Sequence, residues 1–434
     1  MRGGLIVAAP ASGSGKTLVT LALVAALRGR GTRVAAAKAG PDYIDPSFHA
    51  LASGAPCLNL DPWAMRPETL AGLVGGLERA AEIVVCEGVM GLFDGTGPDG
   101  ETGSTAELAR LTGWPVVLVV DAKGQGASVA ALVAGFVRHD PAVTIAGVVF
   151  NRVAGPRHRA VLDAAIMRHV PGLPCLGAVP ADPRLALPER HLGLVPATEA
   201  APAADIADRA AAALDIDGLA GLTRRSRLSG AEEQPLPLPP LGQRIAVARD
   251  DAFAFIYPAL VDGWRRQGAE VSFFSPLADQ PPAGDAVYLS GGYPELHAGR
   301  LAANARFLSG LRGAAASGAT VYGECGGYMV LGETLADARG QTHRMAGLLP
   351  LATSFAERRL HLGYREARLR TGGVLGGKGA RFRGHEFHYA TILREGDAEP
   401  LFEVRDASGN GLGAYGLRAG SVAGSFLHLI DRAD

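Results

Sequence analysis

The chain has 434 residues, 48% of them hydrophobic, which is enough for two or three domains with large cores. Its formal net charge of −1 excludes a global field that recruits nucleic acid or a membrane surface, so any anion must be recognised locally. Its four cysteines are far apart and show no Cys-x-x-Cys spacing, which favours reduced thiols in a cytoplasmic protein over a disulfide framework.

The first predicted element is a strand at residues 5–9, and no basic region with a cleavable apolar segment precedes it. No uninterrupted apolar run reaches the ~18 residues of a membrane span. We therefore expect a cytoplasmic protein with no membrane partner and no nucleic-acid partner.

A phosphate-binding loop follows this strand and precedes a helical pattern, with the residues Gly13, Ser14, Gly15, Lys16 and Thr17. Its glycines allow close backbone approach to phosphate, Lys16 suits the β and γ phosphates of ATP, and Thr17 offers a hydroxyl to Mg²⁺. Pro10 stands where the standard spacing has its first glycine, so the match is imperfect and a glycine-rich turn is the alternative. The correctly placed Lys-Thr pair favours nucleotide binding.

Four more apolar, β-branched runs alternate with Ala- and Leu-rich helical stretches, at residues 34–38, 82–86, 116–121 and 145–151. This alternation predicts an α/β domain in which helices cover both faces of a parallel sheet. Because ligands bind at the carboxyl ends of parallel strands, the residues at these ends should converge on one crevice.

Carboxylates at these strand ends are candidates for a Mg²⁺ site. Glu87 directly follows a strand and is a natural second ligand beside Thr17. Asp42 and Asp45 follow another strand, where turn capping is the usual role of an aspartate near proline, and the sequence leaves open which one touches metal. Two further candidates, for contact with substrate or phosphate, are Lys38 and Asp94.

A charged and then proline-rich stretch divides the chain into a domain of residues 1–216, a linker of residues 217–242 and a domain of residues 243–434. The α/β rhythm resumes after it. Between residues 352 and 394 the pattern alternates and is arginine-rich, which predicts antiparallel strands. These arginines are either solvated or, collectively, a carboxylate-binding surface.

Cys325 lies among glycines directly after an apolar run. Small neighbours permit the strained strand-to-helix turn that presents a nucleophile at a sheet edge, so Cys325 is the predicted catalytic thiol. A thiol nucleophile needs a base, and His428 is the candidate. Three glycines are candidates for an oxyanion hole through their backbone N–H groups: Gly291, Gly292 and Gly326.

Several longer motifs resemble the cobyrinic/hydrogenobyrinic acid a,c-diamide synthase family, at residues 38–49, 59–63, 87–95, 103–109 and 188–195. The N-terminal domain of that family resembles dethiobiotin synthetase, whose phosphate loop also departs from the standard spacing. The resemblance further implies that Asn151 helps to hold the nucleotide base.

The C-terminal half resembles class I glutamine amidotransferases, and most closely the domain of cobyric acid synthases. Those enzymes generally carry His-x-Glu, in which the glutamate orients the imidazole, whereas Ile430 stands at that position here. The corrin-pathway branch also tends to lack this glutamate, so we expect an active Cys–His pair. His385 and His388 should lie on opposite faces of one strand, which argues against a shared zinc ion.

The resemblance implies an ATP- and glutamine-dependent ligase of corrinoid biosynthesis. It would amidate the a and c acetate carboxylates through an acyl phosphate, with Mg²⁺ as cofactor and ammonia from L-glutamine. Hydrogenobyrinic acid is the expected substrate, and cobyrinic acid or a nickel tetrapyrrole are the alternatives. A P-loop ATPase switch with a degenerate amidotransferase domain used for binding is a rival from another class, which an intact Cys325 and His428 disfavour. A dethiobiotin-synthetase-like carboxylase leaves the second half without a role. A homodimer, the ammonia route and the order of amidation stay open.

Overall fold

The computed structural model describes residues 3–97, 99–187, 189–190, 193–194, 203–228 and 237–433. The chain forms two compact units, one of residues 1–63 and 67–235 and the other of residues 64–66 and 236–434. The domain limits inferred from the sequence stay a prediction, and residues 229–236 of the linker and half of the motif at 188–195 lie outside the described residues. Within the predicted linker, Arg224 forms a backbone bridge with Gly4 of the first unit.

The first unit is built on a parallel sheet, as its buried β-branched runs predicted. Its described strands have the order β3-β2-β4-β1-β5-β6-β7, with parallel pairing throughout. Strand β1 is buried along its whole length, which is typical of a sheet covered on both faces. The strands are β1 (Gly3–Ala8), β2 (Val34–Ala39), β3 (Leu58–Leu60), β4 (Ile83–Glu87), β5 (Val116–Asp121), β6 (Ile145–Val153) and β7 (Cys175–Pro180), and a separate pair is formed by β8 (Glu189–Arg190) and β9 (Gly193–Leu194).

Helices connect these strands, as a parallel sheet requires. One side of the first helix packs Leu18, Val19 and Leu23 into the same apolar core as Leu5 and Val7 of β1. The helices are α1 (Lys16–Gly29), α2 (Ile44–Ser53), α3 (Pro67–Ala80), α4 (Thr105–Thr112), α5 (Val129–His139), α6 (Pro156–His169), α7 (Ala203–Ala211) and α8 (Ile216–Gly221).

The second unit contains a mixed sheet with the order β11-β10-β12-β13-β22-β21-β20-β17-β18-β23 among the described strands. Its first five strands pair in parallel and the others pair antiparallel, so the antiparallel prediction for the arginine-rich segment is confirmed. The strands of this sheet are β10 (Arg244–Ala248), β11 (Glu270–Phe274), β12 (Ala286–Leu289), β13 (Thr320–Glu324), β17 (His361–Leu369), β18 (Arg381–His388), β20 (Glu399–Asp406), β21 (Gly411–Ala419), β22 (Val422–Ser425) and β23 (Leu427–Arg432).

A smaller sheet, four α-helices and two short 3-10 helices (Pro276–Ala278 and Pro294–Leu296) complete the described part of the second unit. The smaller sheet has the order β15-β14-β16-β19, with β14 (Thr334–Ala336), β15 (Thr342–Arg344), β16 (Leu351–Ser354) and β19 (Thr391–Glu395). The helices are α9 (Pro258–Arg266), α10 (Ala298–Ala303), α11 (Ala305–Ala316) and α12 (Gly326–Leu331). Among the described residues, none of the helices has both the length and the apolar character needed to cross a bilayer.

The path of the chain from β22 to β23 determines where the candidate base lies. Only Phe426 separates these two strands, yet β22 pairs with β13 while β23 pairs with β18. The antiparallel part of the sheet therefore curls back on itself. As a result, the residues that follow β13 and the first residues of β23 lie in one corner of the unit.

Candidate active sites

The phosphate loop has the geometry that its glycines predicted. Gly15 has a backbone φ of 100°, in the left-handed region, and a Cβ there would lie 2.1 Å from Asn151 Nδ2. Asn151 Nδ2 donates to the Ser14 carbonyl at 2.9 Å, and the Gly13 carbonyl accepts from Arg152 at 2.9 Å. Asn151 therefore lies directly beside the loop, which fits the role that the family resemblance implies for it.

Lys16 and Thr17 open helix α1 and face the end of β4. Lys16 Nζ donates to the Met90 carbonyl at 2.6 Å, and Thr17 Oγ1 donates to Glu87 Oε1 at 2.8 Å. Burial, and after it the charge of Lys38, lowers the pKa of Lys16 below its usual range. A helix N-terminus with a glycine loop, a lysine and a hydroxyl is an anion site of the phosphate-binding kind.

Lys38 is the centre of a buried charge cluster next to this loop. Its side chain is 3% exposed, and its Nζ lies 2.6 Å from Asp45 Oδ2 and 3.0 Å from Glu87 Oε1. Burial alone would lower the pKa of Lys38, but the charges of Asp45 and Glu87 outweigh it and raise that pKa. Burial would likewise raise the pKa of Glu87, but Lys38 and His49 hold it below its usual range. Both groups are therefore charged at neutral pH.

His49 belongs to this cluster, although the sequence did not single it out. Its ring is fully buried and its Nε2 is hydrogen-bonded to Glu87 Oε2, while Glu87 Oε1 accepts from Thr17. His49 lies one helical turn after Asp45 on α2, so both residues face the same side of that helix. The Asp-x-x-x-His spacing, directly after a strand end, is the signal that could have found it.

Asp42 and Asp94 mainly shape their own turns. Asp42 accepts hydrogen bonds from the backbone N–H groups of Ile44 at 3.0 Å and Asp45 at 3.3 Å, which is the turn-capping geometry. Asp94 Oδ2 accepts from the Gly91 N–H at 2.9 Å. Of the predicted metal ligands, Thr17 and Glu87 present adjoining hard oxygens beside the phosphate loop, a donor set that fits Mg²⁺, whereas Asp45 holds Lys38.

Cys325 lies at a strained turn between β13 and α12. Its φ of 48° and ψ of −104° are rare for a residue with a side chain. The Cys325 N–H donates to the Ser425 carbonyl at 2.8 Å, which fixes the turn. A Cβ at Gly327 would lie 2.1 Å from the Leu289 carbonyl oxygen, so the helix can approach β12 only through glycine. This is the elbow that the glycine pattern predicted.

His428 is held between aromatic rings at the start of β23. It pairs across the sheet with His385, and their rings stack with centroids 4.9 Å apart. Burial, followed by the nearby His385 and His388, holds the pKa of His428 well below its usual range, so it is neutral at neutral pH. A neutral imidazole can accept a proton, which is the property a base needs.

The thiol and the imidazole lie in the same corner of the second unit. Cys325 Sγ is 3.9 Å from the Phe387 carbonyl on β18, and β18 pairs with the strand that carries His428. Burial, and then the charge of Glu295, raises the pKa of the Cys325 thiol, so the resting thiol is protonated. Activation therefore requires a base at the moment of attack.

The three predicted oxyanion glycines surround this corner. A Cβ at Gly291 would lie 2.4 Å from His428 Cε1, so this position leaves room for the imidazole ring. A Cβ at Gly326 would lie 3.1 Å from the Gly292 backbone nitrogen, which places the backbones of Gly292 and Gly326 side by side. Their assignment as oxyanion donors stays a prediction.

Glu324 is a second residue whose part in the site the sequence reasoning missed. Its Oε2 lies 3.9 Å from His428 Nδ1 and accepts from the Tyr288 hydroxyl at 2.8 Å, and its Oε1 accepts from the Leu429 N–H at 3.2 Å. Burial raises the pKa of Glu324 to about 8, against the hydrogen bonds from Tyr288 and Leu429 that lower it. An acidic residue directly before a cysteine, at the end of a buried parallel strand, was the available signal.

The segment around His388 forms a third cluster, in which ligand atoms of His361, Glu386 and His388 lie within 4.8 Å of one another. These atoms have partners inside the protein. His388 Nε2 lies 3.0 Å from Glu386 Oε1, its Nδ1 lies 3.1 Å from the Ala390 carbonyl, and Glu386 Oε2 accepts from Arg365 at 2.9 Å. His385 instead stacks on His428. His385 and His388 therefore have different neighbours, which agrees with their predicted positions on opposite faces of one strand.

The comparisons with known proteins cover both units. The CobQ/CobB/MinD/ParA nucleotide binding domain family matches residues 5–195, and the CobB/CobQ-like glutamine amidotransferase domain family matches residues 244–434. Hydrogenobyrinate a,c-diamide synthases of Brucella abortus and Brucella melitensis are each 57% identical over 437 residues, covering 99% of this chain and 98% of theirs. The protein of that name from Rhodobacter capsulatus is 53% identical and covers 98% of both chains.

Proposed function

The chain belongs to the hydrogenobyrinate a,c-diamide synthase family, and we propose that its first unit uses ATP to activate the a and c carboxylates of hydrogenobyrinic acid for amidation. Its second unit is a glutamine amidotransferase domain, and we assign it the supply of ammonia. The observation that carries the proposal is the presence in one chain of two complete sets of groups. One is the Thr17–Glu87 bond beside the phosphate loop, and the other is the Cys325 thiol at its strained turn, in the same corner of the second unit as His428.

In the first unit, Lys16 and the loop N–H groups bind the β and γ phosphates of ATP. Thr17 and Glu87 are the residues that would hold Mg²⁺, which supplies countercharge to those phosphates when bound. Lys38 and His49 fix the Glu87 carboxylate from two sides and keep it ionised. The loop, the lysine and this carboxylate therefore keep the γ-phosphoryl group in one position.

The chemical steps follow from the weakness of a carboxylate as an electrophile. A substrate carboxylate oxygen attacks the γ-phosphorus, the bond to the β-phosphate oxygen breaks, and ADP and an acyl phosphate result. Ammonia then attacks the acyl carbon, and the bond to the phosphate oxygen breaks to give the amide and inorganic phosphate. Lys16 and the loop N–H groups stabilise the charge that develops on the phosphate oxygens.

In the second unit, His428 takes the Cys325 proton as sulfur attacks the glutamine amide carbon. The carbonyl electron pair moves onto oxygen, where the N–H groups of Gly292 and Gly326 can receive it. The imidazolium returns the proton to nitrogen and ammonia leaves, which forms a thioester. Water, deprotonated by His428, then releases glutamate and restores the thiol.

The test separates the two units by their nitrogen donor. Cys325→Ala should abolish amidation with glutamine but retain it with ammonium salts, because the phosphorylating groups lie in the other unit. Lys16→Ala should lower amidation with either donor by at least ~10-fold, since a charge-assisted contact is worth ~1.5–3 kcal/mol. Cys175→Ala, which alters a half-buried cysteine of the first unit, is the matched control and should leave both activities unchanged.

Mass spectrometry of the products identifies the substrate. Metal-free hydrogenobyrinic acid and its cobalt counterpart are supplied separately with ATP and glutamine. A diamide formed from the metal-free acid supports the proposal, whereas a diamide formed from the cobalt compound alone assigns the chain to the cobyrinic acid reaction. Glutamine hydrolysis that survives Cys325→Ala would place the nucleophile elsewhere.

A further inference from the structure

A buried acid lies inside the turn that presents the nucleophile. Glu324 is the last residue of β13 and its side chain is 1% exposed, although charged groups are rarely buried without a partner. The basic side chain that faces it is His428, which is equally buried, with Nδ1 at 3.9 Å from Glu324 Oε2. Once Glu324 is ionised, a cationic His428 would therefore have an anion beside it.

Glu324 is also held in place from two further elements. The Tyr288 hydroxyl, on β12, donates to Oε2, and the Leu429 N–H, on β23, donates to Oε1. Tyr288 is itself fixed between Tyr322 and Trp264, with ring centroids 6.2 Å and 5.4 Å away. A carboxylate that is fixed in this way can orient a neighbouring ring without large motions of its own.

We propose that Glu324 is the positioning residue of the glutaminase: its carboxylate, at ion-pair distance from His428 Nδ1, orients the ring by its charge and stabilises the imidazolium that forms when Nε2 takes the Cys325 proton. The inference rests on the proposed function of the second unit. In enzymes with the His-x-Glu pattern, the glutamate lies two residues after the histidine, on the same face of the strand. Ile430 occupies that position on β23 here, and Glu324, at the end of the strand that leads into Cys325, would supply the acid instead.

This arrangement couples the acid to both reacting groups. Because Glu324 directly precedes Cys325, any shift of the elbow moves the nucleophile and the acid together. The titratable groups facing Glu324 and His428 come from three strands and from the turn that follows β13. They are Tyr288 on β12, Tyr322 on β13, His385 and His388 on β18, and Cys325 directly after β13.

The first test is a double-mutant cycle on glutamine hydrolysis, with glutamate release as the readout. Glu324→Gln keeps the shape of the side chain and removes its charge, and we expect it to lower kcat by about 10–100-fold with little change in KM. In a His428→Ala background the same substitution should have no further effect, because the acid acts through the imidazole. Losses that multiply in the double variant would overturn the inference.

The second test is the pH profile, which a merely structural role would not change. In the wild type, kcat should rise as Glu324 ionises near pH 8, and this step should be absent in Glu324→Gln. Tyr288→Phe removes a hydrogen bond that favours the ionised carboxylate, so it should move the step to higher pH. A Glu324→Gln protein that hydrolyses glutamine at the wild-type rate, with the wild-type profile, would refute the role.

Amidation with ammonium salts and thermal melting show whether each variant is folded. They also separate this inference from the proposed function. If Cys325→Ala abolishes glutamine hydrolysis while Glu324→Gln leaves it intact, the glutaminase assignment holds and the role of Glu324 fails. If Cys325→Ala retains glutamine hydrolysis, the proposed function of the second unit fails first.

Discussion

Replacing Gly291 by alanine should displace the imidazole of His428, the proposed base, without removing any functional group. The new methyl carbon would lie 2.4 Å from His428 Cε1 and 3.3 Å from Phe255 Cδ2. Carbon atoms in contact lie at roughly 3.5–4.0 Å, so the ring must move by about 1 Å. His385 is stacked on the ring with centroids 4.9 Å apart, which limits the directions in which it can move.

A displacement of this size costs roughly 100-fold in rate, or about 2.7 kcal/mol in the activation free energy. The assay is glutamate release from glutamine, with ammonium-dependent amidation measured in parallel, and only the first activity should fall. The control is Gly313→Ala in helix α11, where a Cβ has no atom within 4 Å. It should leave glutamine hydrolysis unchanged and raise the free energy of unfolding by about 1 kcal/mol. A folded Gly291→Ala protein with wild-type glutaminase activity would refute the reasoning.

Three further outcomes follow from buried titratable groups. Lys38→Met should lower the free energy of unfolding, measured by urea titration, by about 3–5 kcal/mol, because it leaves Asp45 and Glu87 buried without their cation. An unchanged urea midpoint would show that Lys38 does not stabilise these two carboxylates. His428→Ala should lower glutamine hydrolysis by at least ~100-fold. Because burial raises the pKa of the Cys325 thiol, the residual rate should rise about tenfold per pH unit without a plateau. A residual rate that does not depend on pH would place the nucleophile elsewhere. Glu324→Gln should raise the free energy of unfolding at pH 9 but not at pH 4, as measured by urea titrations at the two pH values. The reason is that the raised pKa of Glu324 lowers the stability of the wild-type fold as the pH rises from the ordinary value of 4.5 to about 8.

Much of the fold could be predicted because its elements are long and locally encoded. Buried β-branched runs alternating with helical stretches predicted the parallel sheet of the first unit, and the alternating arginine-rich segment predicted β17 and β18. The strand end at Glu87 and the glycine elbow at Cys325 could be found for a similar reason, since each lies within a few residues of its own strand. The family resemblance is confirmed by relatives that match almost the whole chain.

The partners of these residues could not be predicted, because they depend on contacts between distant segments. The Asp-x-x-x-His spacing marks His49 as a companion of Asp45, but it does not show that the ring bonds to Glu87, which lies 38 residues later at the end of β4. Glu324 and His428 lie together because β23 returns beside the start of α12, a consequence of the curled sheet and not of any local pattern. The role of Asp42 depends on local contacts. Turn capping is the usual role of an aspartate near proline, and its hydrogen bond with the Ile44 N–H fits that role.

The protonated, 3% exposed thiol of Cys325 has a consequence for the life of the protein in a cell. Peroxides and electrophilic metabolites react with the thiolate and hardly at all with the protonated thiol. If Cys325 is the nucleophile, as we propose, it is therefore shielded from oxidation while no glutamine is bound, and it becomes vulnerable only during the brief interval of attack. Under the proposed mechanism, the chain can carry a nucleophilic thiol without exposing it to oxidation between turnovers.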